Sequence, residues 1–325
     1  MANSLENTFT TSYAGELALP YIAPAILSAD SIAKKQLTIH EGIKKQAVMK
    51  RLSGGSLMPF ACDWAGQEDD LTLDEAILTP TRLKLEEQFC KDDFRQDWEA
   101  KNTGRGFLGD KVPDNFRTFM LLYLARIAGQ GLQKNIWHGN YNETDGSTSG
   151  GNAVTNFGGI LSRVVAGTPG FESLVAGAFT ADADGTTGIL THLTTLVSNM
   201  PSDIEGSEET VIYMSRKSLA LLQRAMSGLA VTSGGFSPTF VGEDRPTMFL
   251  GYEIVTPNYF PNDTLLGAQL ANLHFGTDLL SDWNKAVYVD MTQTEASDNV
   301  RVAMRFTGGT QIGFIGDTAV IRRSS

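Results

Sequence analysis

The stretch Asp114-Asn115-Phe116-Arg117-Thr118-Phe119-Met120-Leu121-Leu122-Tyr123-Leu124-Ala125-Arg126-Ile127-Ala128-Gly129-Gln130-Gly131-Leu132-Gln133-Lys134-Asn135-Ile136-Trp137-His138 decides how the rest of the chain is read. Phe116, Phe119, Met120, Tyr123, Leu124, Ile127, Ala128, Leu132 and Ile136 recur at the three- and four-residue spacing of one helix face. Pro113 and Asp114 stand where a helix start favours them, and Gly139 stands where an end does. The spacing predicts a single helix over 114–138, about 37 Å long at 1.5 Å per residue. Gly129 and Gly131 each cost up to about 1 kcal/mol inside it. Their presence leads one to expect another backbone packed closely there.

Downstream lies a loop rich in glycine, serine and asparagine, from His138 to Gly159. Further helices are predicted at Ile189–Met200, stopped by Pro201, and after Ser215, a residue suited to capping a helix start. Strands are predicted at Thr210–Met214, Phe249–Val255, Ala286–Met291 and Val300–Phe306, with a last one over Gln311–Ile321 after Gly308-Gly309. Upstream, Leu83, Leu85 and Phe89 alternate with charged residues, a strand with one wet face, and Phe94 and Trp98 fit a short helix over Asp92–Lys101. Helices and strands mix without regular βαβ alternation, so the class is α+β.

Residues 34–80 are unusual in charge. Lys34, Lys35, Lys44, Lys45, Lys50 and Arg51 meet one acid, Glu41, whereas Asp63, Glu68, Asp69, Asp70, Asp74 and Glu75 meet no base. With Gly54-Gly55 between them and apolar stretches at Val48-Met49 and Leu57–Phe60, this reads as a two-stranded flap with oppositely charged limbs. It is either an ordinary hairpin whose charges face water or a projecting loop that docks on a neighbouring copy. In the second case Lys44, Lys45, Lys50, Arg51, Asp63, Glu68, Asp69 and Asp70 are the contact residues. Residues 1–33 read as an extended arm, because Pro20 and Pro24 discourage a helix.

The chain has 325 residues, 33 of them glycine, a charged fraction of 19% and a net charge of −11. It is long enough to bury a core without disulfides, and its acidity argues against nucleic-acid recognition as its main task. Cys62 and Cys90 provide no disulfide framework and read as packing residues in a reducing compartment. No secretory leader is expected at the start, and the apolar run Leu17–Ala29 is too short to span a bilayer.

Chemistry is sparse. No phosphate-binding loop sequence occurs, and His40-Glu41 is followed by Lys44 where a zinc protease needs histidine. His40, His138, His192 and His274 are far apart in the chain, so no metal is expected. Asp182-Ala183-Asp184-Gly185 lacks the spacing of a calcium loop, and Gly146–Gly150 places Thr148 where a nucleophilic serine belongs. Adjacent acids such as Asp69-Asp70 and Asp92-Asp93 read as solvated. Neither catalysis nor a cofactor is expected.

Taken in order, the elements resemble the major capsid proteins of tailed bacteriophages, with the Hong Kong 97-type capsid fold. Four stretches carry the resemblance: Leu132–Asn140 with Asn156-Phe157-Gly158-Gly159-Ile160-Leu161, the flap running into Ala76–Leu83, Phe249–Val255 continuing through Asn258–Pro261 to Leu273–Asp278, and the terminal strands. Thr277-Asp278 departs from the family, which often has Gly-Asp directly. The resemblance implies an N-terminal arm (1–35) and an extended loop (36–80), then a peripheral domain (81–165) containing the spine helix. An axial domain (166–285) and returning C-terminal strands (286–325) would follow. It implies a non-enzymatic shell subunit forming hexamers and pentamers around double-stranded DNA without sequence-specific binding. Scaffolding, portal and decoration proteins would be its partners, and the virion its location after assembly in the host cytoplasm. No crosslinking residues are carried over. An encapsulin-like compartment with the same fold, or a soluble enzyme of unrecognised chemistry, stay as alternatives.

Overall fold

A computed structural model describes residues 30–54, 71–90, 114–141, 156–181, 187–232, 248–278, 286–291, 295 and 297–324. The chain enters through a single helical turn, α1 (Asp30–Ala33), and a short strand, β1 (Thr38–His40). β2 (Ala47–Gly54) and β3 (Leu71–Leu78) pair antiparallel from Ala47 opposite Leu78 to Gly54 opposite Leu71. The predicted flap is therefore present, but the partner limb of β2 is Leu71–Leu78. Leu57–Phe60 lies outside the described residues, as does the helix expected at Asp92–Lys101. β4 (Thr81–Cys90) buries Phe89, half-buries Leu83 and Leu85 and exposes the intervening charges, as its alternation predicts.

The amphipathic stripe at 114–138 folds as α2 (Asp114–Trp137). Gly139 ends it in the left-handed region, φ +35°, where a side chain is strained. Asn156–Gly159 then leads into α3 (Ile160–Ala166) and β5 (Phe171–Ala176). α4 (Ile189–Ser198) buries Ile189, His192, Leu193 and Leu196, a stripe at helical spacing. β6 (Thr210–Met214) is buried throughout and runs into α5 (Arg216–Thr232). The Oγ of Ser215 accepts the Ser218 backbone N–H at 3.1 Å, so the expected N-cap forms.

Two expected strands are corrected. The one read over Phe249–Val255 is a tight hairpin, β7 (Met248–Phe249) antiparallel to β8 (Tyr252–Val255). Leu250 and Gly251 form its turn with φ +47° and +90°. A two-residue hairpin with both central residues at positive φ matches the natural strand twist, so apolar periodicity there hid a turn. The second correction concerns Gly308-Gly309. After β9 (Thr264–Gln269), β10 (Leu273–Gly276) and β11 (Ala286–Asp290), β12 runs unbroken from Asn299 to Ile312. The break falls at the 3-10 turn Ile315–Asp317, before β13 (Thr318–Ser324). Gly309 serves close packing rather than a turn: a Cβ there would lie 2.9 Å from the Thr79 carbonyl oxygen and 3.0 Å from Pro80 Cα.

The described residues fall into two units. In one, formed from 84–90, 114–128 and the described part of 286–305, β11 pairs antiparallel with the first half of β12. Arg301 Nε donates to Gln88 Oε1 at 2.8 Å within it. The other unit comprises 30–83, 129–278 and 306–324 in their described parts. It holds a six-stranded sheet ordered β5-β13-β9-β6-β8-β7, in which β13–β5 and β6–β8 are parallel and the other pairs antiparallel. The apolar faces of α4 and α5 cover this sheet. Leu193, Leu196 and Leu222 meet Ile212, Met214, Leu265 and Ile321 there, all fully buried. In the same unit β1 lies parallel to β10, and β10 antiparallel to the end of β12.

Candidate functional site

The flap is where the sequence placed the contact residues. Strand alternation divides it into two faces. On one, Leu78 is buried and Met49, Ala76 and Arg51 are half-buried. On the other, the cross-strand pairs Val48–Ile77, Lys50–Glu75 and Leu52–Leu73 are exposed. Leu52 and Leu73 are 63% and 62% exposed and Val48 and Ile77 42% each, a density of bare aliphatic surface that a two-stranded ribbon does not need for its own stability. Polarity does not alternate along β2, where Ala47-Val48-Met49 is followed by Lys50-Arg51, so the ladder emerges only from the register of β2 on β3.

Of the predicted contact residues, Lys44 and Lys45 are exposed in the link between β1 and β2, and Lys50 is exposed on the apolar face opposite Glu75. Arg51 points the other way. Its guanidinium donates to the carboxylates of Asp317 and, at 3.2 Å, Asp203, and lies 4.7 Å from the centre of the Phe314 ring. Arg51 thus ties the flap to its own chain, through charge-assisted bonds and a cation–π contact. Asp63, Glu68, Asp69 and Asp70 lie outside the described residues.

A second built feature is the exit of the long helix. A Cβ on Gly159 would lie 2.6 Å from Gly139 N, 2.6 Å from the His138 carbonyl carbon and 2.7 Å from Asn135 O. The two backbones touch, and only glycine fits on either side. This accounts for the glycines of the quoted motif, Gly139 and Gly159. Gly131 differs from expectation: a Cβ there meets nothing within 4 Å, so no other backbone among the described residues packs against it. On the other side of the helix, Ser31 is completely buried against α2. Its Oγ accepts from Gln133 Nε2 at 2.6 Å and Trp137 Nε1 at 2.8 Å, and its N–H donates to Gln133 Oε1 at 3.1 Å. Gln133 Nε2 also reaches the Asn258 carbonyl at 3.0 Å, and His138 Nε2 bonds the Tyr259 carbonyl at 2.9 Å. These bonds pin the 257–263 loop, with Tyr259 and Asp263 at φ +59° and +54°, onto the helix end. A local reading of sequence could not have found this cluster, because its members are about a hundred residues apart.

The histidines are the second departure. His40 and His274, distant in sequence, are neighbours, with Nε2 and Nδ1 3.0 Å apart. Burial, then the nearby His40, pushes His274 down to about 4. Burial alone lowers His192, whose ring stacks on Phe179 at 4.8 Å. Among the described residues, no group of three or more His, Cys, Asp or Glu side chains is placed to hold a metal ion. Nor, among them, is any helix long and apolar enough to cross a membrane.

No protein-family model matches the chain, and no curated protein matches it. Solved structures do. A chain of the native GTA-particle capsid aligns with a TM-score of 0.57 at 10% identity, over 99% of this chain and 98% of that one. The satellite phage P4 procapsid, including its size-determination (Sid) protein, supplies a match at TM-score 0.54 and 11% identity, over 91% and 98%. For the capsid of cyanophage P-SCSP1u the values are 0.51 and 13%, over 100% and 96%. At such identities the likeness is one of fold. The chain has the tailed-phage capsid fold, as the order of its motifs led one to expect.

Proposed function

We propose that this chain is a major capsid subunit, a structural protein whose copies tile hexamers and pentamers into a closed shell around double-stranded DNA. The observation that carries the reading is the bare aliphatic ladder of Val48, Leu52, Leu73 and Ile77 on a chain with a capsid fold. A ribbon partly packed on its own subunit along one face, with Thr72 and Asp74 still exposed there, and carrying a bare aliphatic ladder on the other is built to be covered by a second copy. Lys44, Lys45 and Lys50 border or interrupt that face and supply charge for register and on-rate. The acids at 63–70 are the complementary limb of the same proposal. The net charge of −11 suits a container that encloses DNA without gripping it. The chain carries no chemistry of its own in this reading. It assembles in the host cytoplasm with scaffolding, portal and decoration proteins, and resides in the virion.

The test is charge reversal of Lys44, Lys45 and Lys50 to Glu, followed by sedimentation of the assembly reaction. Arg51 is left intact because its two carboxylate partners lie in the same chain. Folded subunits that no longer form particles are expected. Unchanged particle yield would count against docking through the flap.

A further inference from the structure

The flap grows out of β1, a strand of three residues paired parallel with β10 from Thr38 opposite His274 to His40 opposite Gly276. The segment just after β10 adds Thr277 N–H to the His40 carbonyl at 2.9 Å, Gly42 N–H to the Asp278 carbonyl at 2.5 Å and Ile43 N–H to the Thr277 carbonyl at 3.1 Å. Lys44 to Gln46 then lead directly into β2. At this root the half-buried rings of His40 and His274 sit with centroids 5.0 Å apart, tilted by 46°. The 3.0 Å contact between His40 Nε2 and His274 Nδ1 is a hydrogen bond only while one nitrogen carries a proton and the other a lone pair. At least one ring must therefore be neutral.

Among the described residues, no carboxylate acts on His274. Opposite His274 on β12 is the neutral Gln311. A Cβ on Gly313 would lie 3.2 Å from His274 Nε2 and 2.8 Å from Asn272 Oδ1, so a glycine and an amide also border the ring. The carboxylates on adjoining segments are Glu41, which is exposed, and Asp278, beyond the end of β10. Asp317 and Asp203 are both engaged by Arg51 of β2. Among the described residues, His40 is the charged neighbour that acts on His274.

We propose that His40 and His274 form an acid-opened clamp on the root of the flap. With one ring neutral, the pair ties β1 to β10. When both rings are protonated, the bond is lost, two like charges face each other, and β1 parts from β10 so that the flap is freed at its base. The direction follows from linkage. His274 is held at about 4 in the closed state, against an ordinary 6.5, so the opened state binds more protons between those values. The clamp is complete above pH 6.5 and is lost progressively as pH falls toward 4. One proton taken up on opening shifts the equilibrium by up to about tenfold per pH unit within that window. The clamp is a property of the folded subunit and does not depend on what the subunit assembles into.

Hydrogen–deuterium exchange of the unassembled full chain tests this, with rates corrected for their intrinsic pH dependence. Protection of Thr38–Ile43, taken relative to the buried strand Thr210–Met214, should fall at least tenfold between pH 7 and pH 5. In His274→Gln, which keeps a hydrogen-bonding group but has no titrating ring, the same ratio should stay flat. Equal protection of both segments at every pH in the wild-type chain would overturn the clamp, as would a His274→Gln chain as acid-sensitive as wild type. Should that variant fail to fold, NMR titration of the wild-type histidine rings decides. A ring titrating well below pH 6, with the Ile39 and Gly276 amides shifting in step, supports the clamp. Ordinary titration of both rings with those amides unmoved refutes it.

Discussion

Replacing Gly159 by Ala tests the packing of the long-helix exit with the smallest possible perturbation, one methyl group. Its backbone, φ −81° and ψ 171°, is one that alanine adopts freely, so the whole cost is steric. The new Cβ would meet three backbone atoms at 2.6 to 2.7 Å, where ordinary contact begins near 3.4 Å. All three belong to the end of α2 and its cap, and none is the tip of a flexible side chain. Relief requires the two segments to separate by about 0.8 Å (3.4 − 2.6 Å), breaking the close approach along its length. Overpacking of this kind costs about 1–3 kcal/mol when side chains can yield and more when backbone must move, which places Gly159→Ala at about 3–4 kcal/mol. Gly131→Ala is the internal control, since its Cβ enters open space. It should stabilise the helix by about 0.5–1 kcal/mol through propensity alone. Urea unfolding of unassembled subunits, followed by far-UV circular dichroism, reads both values. At about 2–4 °C per kcal/mol, the melting temperatures should also move in opposite directions. A Gly159→Ala midpoint within about 0.5 kcal/mol of wild type would refute the close-contact reasoning.

Ser31→Ala leaves the buried donors of Gln133 and Trp137 without their shared acceptor, and should cost about 2–3 kcal/mol in the same urea experiment. The paired change Leu52→Asp with Leu73→Asp should leave the stability of the isolated subunit within about 0.5 kcal/mol of wild type, because both side chains are already exposed. The same pair should abolish particle formation in a sedimentation assay, since each leucine would forfeit about 1.5–3 kcal/mol of burial between copies.

Periodic elements were legible in the sequence because local spacing alone specifies them. The α2 stripe, the alternation of β4 and the buried run Thr210–Met214 are each decided by residues within a few positions of one another. Glycine was legible only in part. Gly139 reads correctly as a helix end, whereas Gly309 reads as a turn and is a close-packing position within a strand, and Gly131 reads as a packing position and faces open space. A glycine's role depends on what lies across from it, and that partner is remote in sequence. The same limit hid the His40–His274 contact, created by the parallel pairing of β1 with β10, and the Ser31 cluster. The charges of the flap were visible as a pattern. That Arg51 turns inward while Lys50 turns outward follows from strand alternation, and needed only the register of β2 on β3.

Electron microscopy of the purified chain under assembly conditions, alone and with any co-expressed candidate scaffolding protein, addresses the central claim most directly. A capsid subunit yields closed shells of uniform diameter, in which hexamers and pentamers are resolved and the flap of one copy lies over the next. A monodisperse monomer under every condition would contradict it.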